Sequence, residues 1–296
     1  MILNVSGRTD IVAFYTDWFM KRWEEGFLDV RNPFNPKLVS RIFFEDVDLI
    51  LFCTKNPMPI VDKLSRIDKP IIFQVTLTPY KKDIEPNVPS KTEVIEAIKR
   101  ISSILGSENV YVRYDPIFIS KKYDVAYHKK AFERLCSLLS GYVKHIIVSF
   151  IDDYKNVRKN ADVLKLEDFT EDIYREIGIS FSDSAKKYGM TVQTCFEERN
   201  LVEYGFVSGE CLSHEMVYKM TGKAKFKTWT ARRERKCNCV AMVDVGEYNT
   251  CKHFCKYCYA NFDEGIVNRK VLEHDDDSSL LVGKITSDDV VKRRFR

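Results

Sequence analysis

Six short apolar runs, at residues 2–5, 48–53, 70–78, 110–114, 145–150 and 191–196, constrain this chain more than any other feature. They are rich in β-branched and aromatic residues and bounded by polar turns, which is how buried strands read. Between them the apolar spacing becomes helical. Ile11, Phe14, Tyr15 and Trp18 share one face behind a capping Asp10 and ahead of a terminating Gly26. Ser90 and Glu93 form a capping box before Val94, Ile98, Ile101 and Leu105, with Gly106 at the far end. Residues 124–139 and 169–188 carry the same apolar period. Alternation of this kind predicts parallel strands joined by right-handed crossovers. No Gly-rich nucleotide fingerprint follows the first strand. We therefore expect an α/β fold of the partial (β/α) TIM-like barrel kind, with about six strands, over a doubly wound sheet.

In either architecture the chemistry belongs at the carboxyl ends of the strands. Those ends read SGRTD (6–10), TKNP (54–57), TLTPY (76–80), RYDP (113–116), SFIDDY (149–154) and CFEER (195–199). Arg8, Arg113, Asp115 and Glu197 are the charged candidates for catalysis, since arginine holds carboxylates in bidentate pairs. The plainer reading is that some of these charges satisfy one another and that Asp10 only caps its helix.

The stretch CKHFCKYCYAN (251–261) concentrates three of nine cysteines. The amino terminus, MILNVSGRTD, lacks a secretory pattern, and no apolar run approaches the roughly 18 residues that cross a bilayer. We expect a cytoplasmic chain with no membrane association, where disulfides are disfavoured and clustered thiols bind metal. Thiolates at Cys251, Cys255 and Cys258, beside Lys252 and Lys256, suit an iron–sulfur cluster or zinc. A zinc site needs a fourth ligand, for which Cys237, Cys239 or His253 is at hand. Cys195, Cys211, Cys237 and Cys239 could hold a second [4Fe–4S] cluster, because four cysteines are the usual ligand set. The alternative is that Cys195 and Cys211 are small buried residues. Cys53 and Cys136, in apolar surroundings, are expected in the core.

The C-x3-C-x2-C spacing, with Tyr257 before the last cysteine, resembles the signature of the radical S-adenosylmethionine (SAM) enzymes. The resemblance implies a [4Fe–4S] cluster on Cys251, Cys255 and Cys258 whose fourth iron is chelated by the amino and carboxylate groups of SAM. It also implies an electron donor such as a ferredoxin or flavodoxin. Strand-end residues would hold SAM, with Lys55, Asn56, Gln74, Thr76 and Arg113 as candidates and Tyr257 beside the cluster. Two features depart from that superfamily: the triad lies near the end of the chain, not after the first strand, and no Gly-Gly-Glu motif is present. SGRTDIVAFYTDWF, RNPFNP, TKNPMP, FQVTLTPY, VRYDPI, HIIVSFIDDY and DVGEYNTCKHFCKYCYAN resemble a bacterial and archaeal family of unknown function with a terminal triad. The division that follows is a barrel over 1–200, a cysteine-rich segment over 201–262 that closes its mouth, and a polar tail over 263–296 that need not pack.

Net charge is only +4, so a nucleic-acid partner must be argued locally. KMTGKAKFKTWTARRERK (219–236) has eight basic residues around Phe226 and Trp229, a pattern that could track phosphates and stack a base. Its plainer reading is a solvated basic loop. The function expected is SAM cleavage to a 5′-deoxyadenosyl radical that abstracts hydrogen from an unidentified substrate, with a nucleic acid or another phosphate-bearing molecule as the candidate. The rival is a metal-stabilised nucleic-acid-binding module.

Overall fold

The computed structural model describes residues 1–195, 197, 199–226 and 238–295. Its strands are β1 (Ile2–Val5), β2 (Phe27–Arg31), β3 (Leu38–Phe43), β4 (Leu49–Thr54), β5 (Ile71–Thr76), β6 (Val110–Ile117), β7 (His145–Phe150), β8 (Thr191–Thr194), β9 (Met242–Asp244) and β10 (Val290–Arg293). Seven of them form one sheet in the order β8-β7-β6-β5-β4-β1-β9, and every neighbouring pair is parallel.

This corrects the expected six-stranded partial barrel. The seventh strand, β9, comes from the cysteine-rich segment and pairs with β1 through Ile2↔Met242, Leu3↔Val243 and Asn4↔Asp244. Among the described residues no ladder joins the edge strands β8 and β9. Strand–helix alternation dictates parallel pairing, but the period is blind to closure and to a three-residue strand that arrives late in the chain.

Both faces of the sheet are covered, by different parts of the sequence. Leu3, Val5, Ile50, Phe52, Phe73, Val75, Val112, Ile146 and Val148 face the helices, where they pack with Trp18, Phe19, Ile98, Ile101, Phe132 and Phe181. Ile2, Leu49, Leu51, Ile72, Tyr111 and Ile147 point the other way, as the strand period of two requires, and meet Leu212, Val217, Phe226 and Val240. Each such side chain, fully buried, contributes about 1.5–3 kcal/mol. The segment after residue 200 therefore covers the second face of the sheet as well as its end. Two residues further along each strand on that face stand Asn4, Cys53, Gln74, Arg113 and Ser149. The second face changes from an apolar layer to a polar one toward the carboxyl ends.

Local signals formed as expected at several points. Asp10 accepts from the Ala13 backbone N–H as a helix cap, and Ser90 with Glu93 makes both bonds of the capping box. The first helix is broken into Ile11–Phe14 and Thr16–Glu25. Tyr15 lies between them and donates its hydroxyl to the Thr250 carbonyl at 2.6 Å, a partner 235 residues away that no local rule could supply. Gly26, at φ 87°, ends the second piece in the left-handed region that favours glycine.

Within residues 263–296, expected as a tail that need not pack, the described part does pack. Glu264–Leu272 is a helix capped by Asp263, Leu280, Leu281 and Val282 are buried, and the Trp18 indole donates to the Ser278 carbonyl at 2.8 Å. β10 adds to a small sheet in the order β10-β3-β2. The apolar content of this stretch is too sparse to show a period, and long-range pairing decides its fate. Among the described residues no helix is long and apolar enough to cross a membrane.

Candidate functional site

The loop carrying the triad is fastened over the strand ends by carboxamides. Asn156 donates to the carbonyls of Cys258 at 3.2 Å and Asn261 at 2.8 Å, Asn160 to that of Lys256 at 2.7 Å, and Asn87 to that of Lys252 at 2.8 Å. Within the loop, Asn261 donates to the Cys251 carbonyl at 2.7 Å. The Lys256 N–H reaches back to the Ile84 carbonyl at 2.9 Å. These side chains satisfy backbone groups that an irregular buried loop would otherwise leave unpaired. The sequence reading missed them. The one available signal was the i,i+4 spacing of Asn156 and Asn160; Asn156 lies in the helix Lys155–Lys159 and Asn160 ends it.

Cys255 and Tyr257 are buried, and Cys258 is half-buried, against Tyr80, Ile84, Val88, Phe118, Tyr123, Val157 and Leu164. Burial pushes the Cys255 thiol up to about 12, with Lys55 pulling the other way. Burial also raises Cys251, with Asp10 and the other two cysteines adding to the effect, and it raises Cys258. The three groups thus sense one another. A cavity of about 340 Å³ opens beside the loop, between Asn156, Asn160, Phe254, Cys255, Asn261 and Glu264.

Two charged devices anchor this loop to the sheet. Asp10 does more than cap its helix: it also accepts from the Thr54 hydroxyl at 2.7 Å, the Lys55 N–H at 2.8 Å and His253 Nε2 at 2.9 Å. His253 Nδ1 lies 3.3 Å from the Asn87 carbonyl. With both ring nitrogens engaged, His253 is not offered to the thiols as a fourth ligand. Glu85, in turn, is buried among Lys55 at 2.9 Å, the Thr78 hydroxyl at 2.6 Å, Lys91 and the Tyr257 hydroxyl. Burial opposes its charge, but Lys55 and Lys91 prevail and hold Glu85 at about 2. Lys55 stands 5.3 Å over the Tyr257 ring, so a fixed cation lies beside the triad.

The remaining candidates occupy the polar layer. Arg8 binds Asp244 through Nε at 3.0 Å and through the Asp244 carbonyl at 2.8 Å, which ties the loop after β1 to the end of β9. Gly246 lets the two loops approach closely there, since a Cβ would stand 2.0 Å from Ser6 Oγ and force that side chain to move. Arg113 donates to Asp115 through Nε at 2.8 Å and to Gln74 Oε1 at 3.1 Å, and Gln74 Nε2 donates to the Cys211 carbonyl at 2.8 Å. Cys53 donates to Asn4 Oδ1 at 3.4 Å, so it faces this layer, whereas Cys136 lies in the helix-side core. Asn56 forms a local turn with Met58, and Thr76 is half-buried at the end of β5. Glu197 accepts the Phe150 N–H at 2.8 Å; burial pushes it up to about 7, helped by Asp152, Cys195 and Asp115.

Cys195, Cys211 and Cys239, from separate segments, border the same second-face cluster, and Arg113 stands near Cys195 and Cys211. The Cys211 thiol interacts with both Cys195 and Cys239, and the backbone bond from Val240 N–H to the Leu212 carbonyl at 3.1 Å aligns their segments. Hydrogen bonding from Cys211 and the nearby Arg113 lower Cys195 to about 6. The Cys211 thiol moves the opposite way, upward. Cys237 lies outside the described residues, as does 227–236 of the basic stripe, including Trp229.

The described part of the stripe is already committed. Lys219 pairs with Glu215 at 2.6 Å, and Lys223 and Lys225 both pair with Asp48 beside the Met1 ammonium. Phe226, expected as a stacking surface, is 3% exposed within the second-face core. An aromatic flanked by lysines in sequence was drawn inward by the apolar strands above it.

The thiols fit a soft metal by donor type, yet they are relaxed rather than pre-spread. Among the described residues no three or more His, Cys, Asp and Glu side chains form a ready-made metal group. Protonated thiols gain nothing from converging, and a metal, if bound, would supply the energy that gathers them. Comparison with curated proteins and with solved structures found no match. The family model described as domain of unknown function DUF1848 matches residues 2–260. With seven-eighths of its length inside that match, this chain belongs to the DUF1848 family.

Proposed function

We propose that this chain is a radical SAM enzyme whose cluster is held by Cys251, Cys255 and Cys258. One observation carries the reading: three thiols within eight residues lie on an asparagine-clamped loop over the carboxyl ends of a parallel sheet, and burial raises all three. Three thiolates there would repel one another in apolar surroundings, and a cationic iron–sulfur core offsets that repulsion while leaving one iron free for SAM. When bound, a [4Fe–4S] cluster and SAM supply an electron and a 5′-deoxyadenosyl radical for hydrogen abstraction. The chain's own part is to hold and shield. Tyr80, Phe118, Val157 and Leu164 exclude water from the loop, and Lys55, fixed by Glu85, keeps positive charge beside Cys255.

Lys55, Asn56, Gln74, Thr76 and Tyr257 are the proposed SAM contacts. Arg8, Arg113, Asp115 and Glu197 are the proposed substrate-side groups, of which Glu197 can take up or release a proton near neutrality. In this reading the protein works in the reducing cytoplasm and draws its electron from a ferredoxin or flavodoxin. The rival nucleic-acid module loses support from Lys223, Lys225 and Phe226, which are engaged in ion pairs and core.

Anaerobic reconstitution with iron and sulfide tests the proposal. Reduced protein should show an electron-paramagnetic-resonance signal that changes when SAM is added, and it should release 5′-deoxyadenosine. Alanine at all three triad positions should abolish both. Stoichiometric zinc without iron, or undiminished SAM cleavage by the triad-alanine protein, would overturn it.

A further inference from the structure

One residue of the sheet reaches both flanks of the triad loop. Lys55 follows β4; its backbone N–H donates to Asp10 at 2.8 Å and its ammonium to Glu85 at 2.9 Å. Those two buried carboxylates also receive two side chains that lie between the cysteines in sequence. His253 meets Asp10 at 2.9 Å, and the Tyr257 hydroxyl donates to Glu85. Asp10 therefore holds the backbone of Lys55, whereas Glu85 fixes its charge.

That charge stands close to the triad. The ammonium lies 5.3 Å from the centre of the Tyr257 ring. Cys258 is the next residue and Cys255 is two before, with consecutive Cα atoms about 3.8 Å apart. Cys255, Tyr257 and Cys258 share one apolar cluster, and a fixed charge acts most strongly where water is excluded. Lys91, at the head of the helix Lys91–Leu105, takes the other oxygen of Glu85 from a more exposed position. Two cations share one carboxylate, so this flank of the loop keeps a positive charge.

We propose that Lys55, held by Glu85, sets the reduction potential of the triad's cluster and raises it. The inference rests on the radical SAM reading above. One electron passes from an external one-electron donor, which is oxidised, to the cluster, which is reduced. No bond forms or breaks and no proton moves, so the centre gains one negative charge. A neighbouring cation favours the reduced form, because net charge around a cluster is one of the terms that set its potential. Glu85 acts with the opposite sign to Lys55, and Lys91 with the same sign.

The test is a redox titration followed by electron paramagnetic resonance, on full-length protein reconstituted anaerobically with iron and sulfide. SAM is left out, so a lost SAM contact is not what is read. Lys55→Met should lower the midpoint, Lys55→Arg should stay close to wild type, Lys91→Met should lower it less, and Glu85→Gln should raise it. A merely structural role would loosen the loop in each variant and shift all midpoints the same way. An unchanged midpoint in folded Lys55→Met, or shifts of one sign in Lys55→Met and Glu85→Gln, overturns the proposal. Where either of those variants fails to fold by circular dichroism, Lys91→Met decides: an unchanged or raised midpoint in it overturns the proposal equally. Wild type that takes up no cluster sinks the radical SAM reading and this proposal together, whereas a full cluster whose midpoint ignores these charges sinks this proposal alone.

Discussion

The two cysteine groups reach the same end of the sheet by opposite routes. The triad is contiguous in sequence, and its loop is held by Asn87, Asn156 and Asn160 while burial raises its thiols. The second group is dispersed over 45 positions but borders one cluster on the second face, where the Arg113 guanidinium helps lower Cys195 to about 6. Proximity in sequence made the first visible, but it did not make its thiolates stable. Proximity in space made the second, and there Arg113 helps favour the charged form of Cys195 while Cys211 is pushed the other way. The difference separates three thiols that burial holds in the neutral form from a single one, Cys195, that its neighbours bias toward thiolate.

The largest expected effect lies on the triad side. Glu85→Gln leaves Lys55 and Lys91 facing each other in a buried setting and should cost about 3–5 kcal/mol, measured by urea denaturation. The pH dependence has a definite sign. Glu85 is held at about 2 against an ordinary 4.5, so its contribution is full above 4.5 and is lost as pH falls toward 2; Glu85→Gln should flatten that limb. An unchanged urea midpoint would mean that the lysines do not depend on Glu85.

Asn156→Ala should cost less, about 1–3 kcal/mol, because loop carbonyls at Cys258 and Asn261 lose their donor. Proteolysis or hydrogen exchange should quicken across 251–261 and leave Cys195 and Cys211 unaffected. Equal acceleration at both cysteine groups would erase the distinction drawn between them.

The smallest effect sharpens the comparison most directly. In metal-free protein at neutral pH, alkylation should reach Cys195 well before Cys255, whose thiol burial pushes up to about 12. Since Cys195 is lowered from the usual 9.0, its stabilising contribution is full above that value and declines as pH falls through about 6. Arg113→Met should raise the half-reaction pH of Cys195 by about one unit and leave that of Cys255 alone. Equal reactivity of the two thiols would break the contrast.

The sequence by itself determined what depends on near neighbours. Short apolar, β-branched runs marked six strands within a few residues of their observed ends, the Ser90/Glu93 box began its helix, and the triad's spacing named its sulfurs. Asp10 was legible as a cap for the same reason, because the bond to Ala13 spans three residues. Its second role, holding His253 across 243 residues, was not. Nor were the Gln74 bond to Cys211 across 137 residues, the pairing of β9 with β1, the burial of Phe226, or the packing of residues 280–282. Each depends on which surface lies opposite, and a side chain such as Phe226 or Lys223 has no fixed environment until the chain has crossed the sheet. The tertiary structure alone decided those environments, because burial, charge compensation and carbonyl satisfaction are properties of pairs brought together by folding, whereas caps and periodicity are properties of a few consecutive residues.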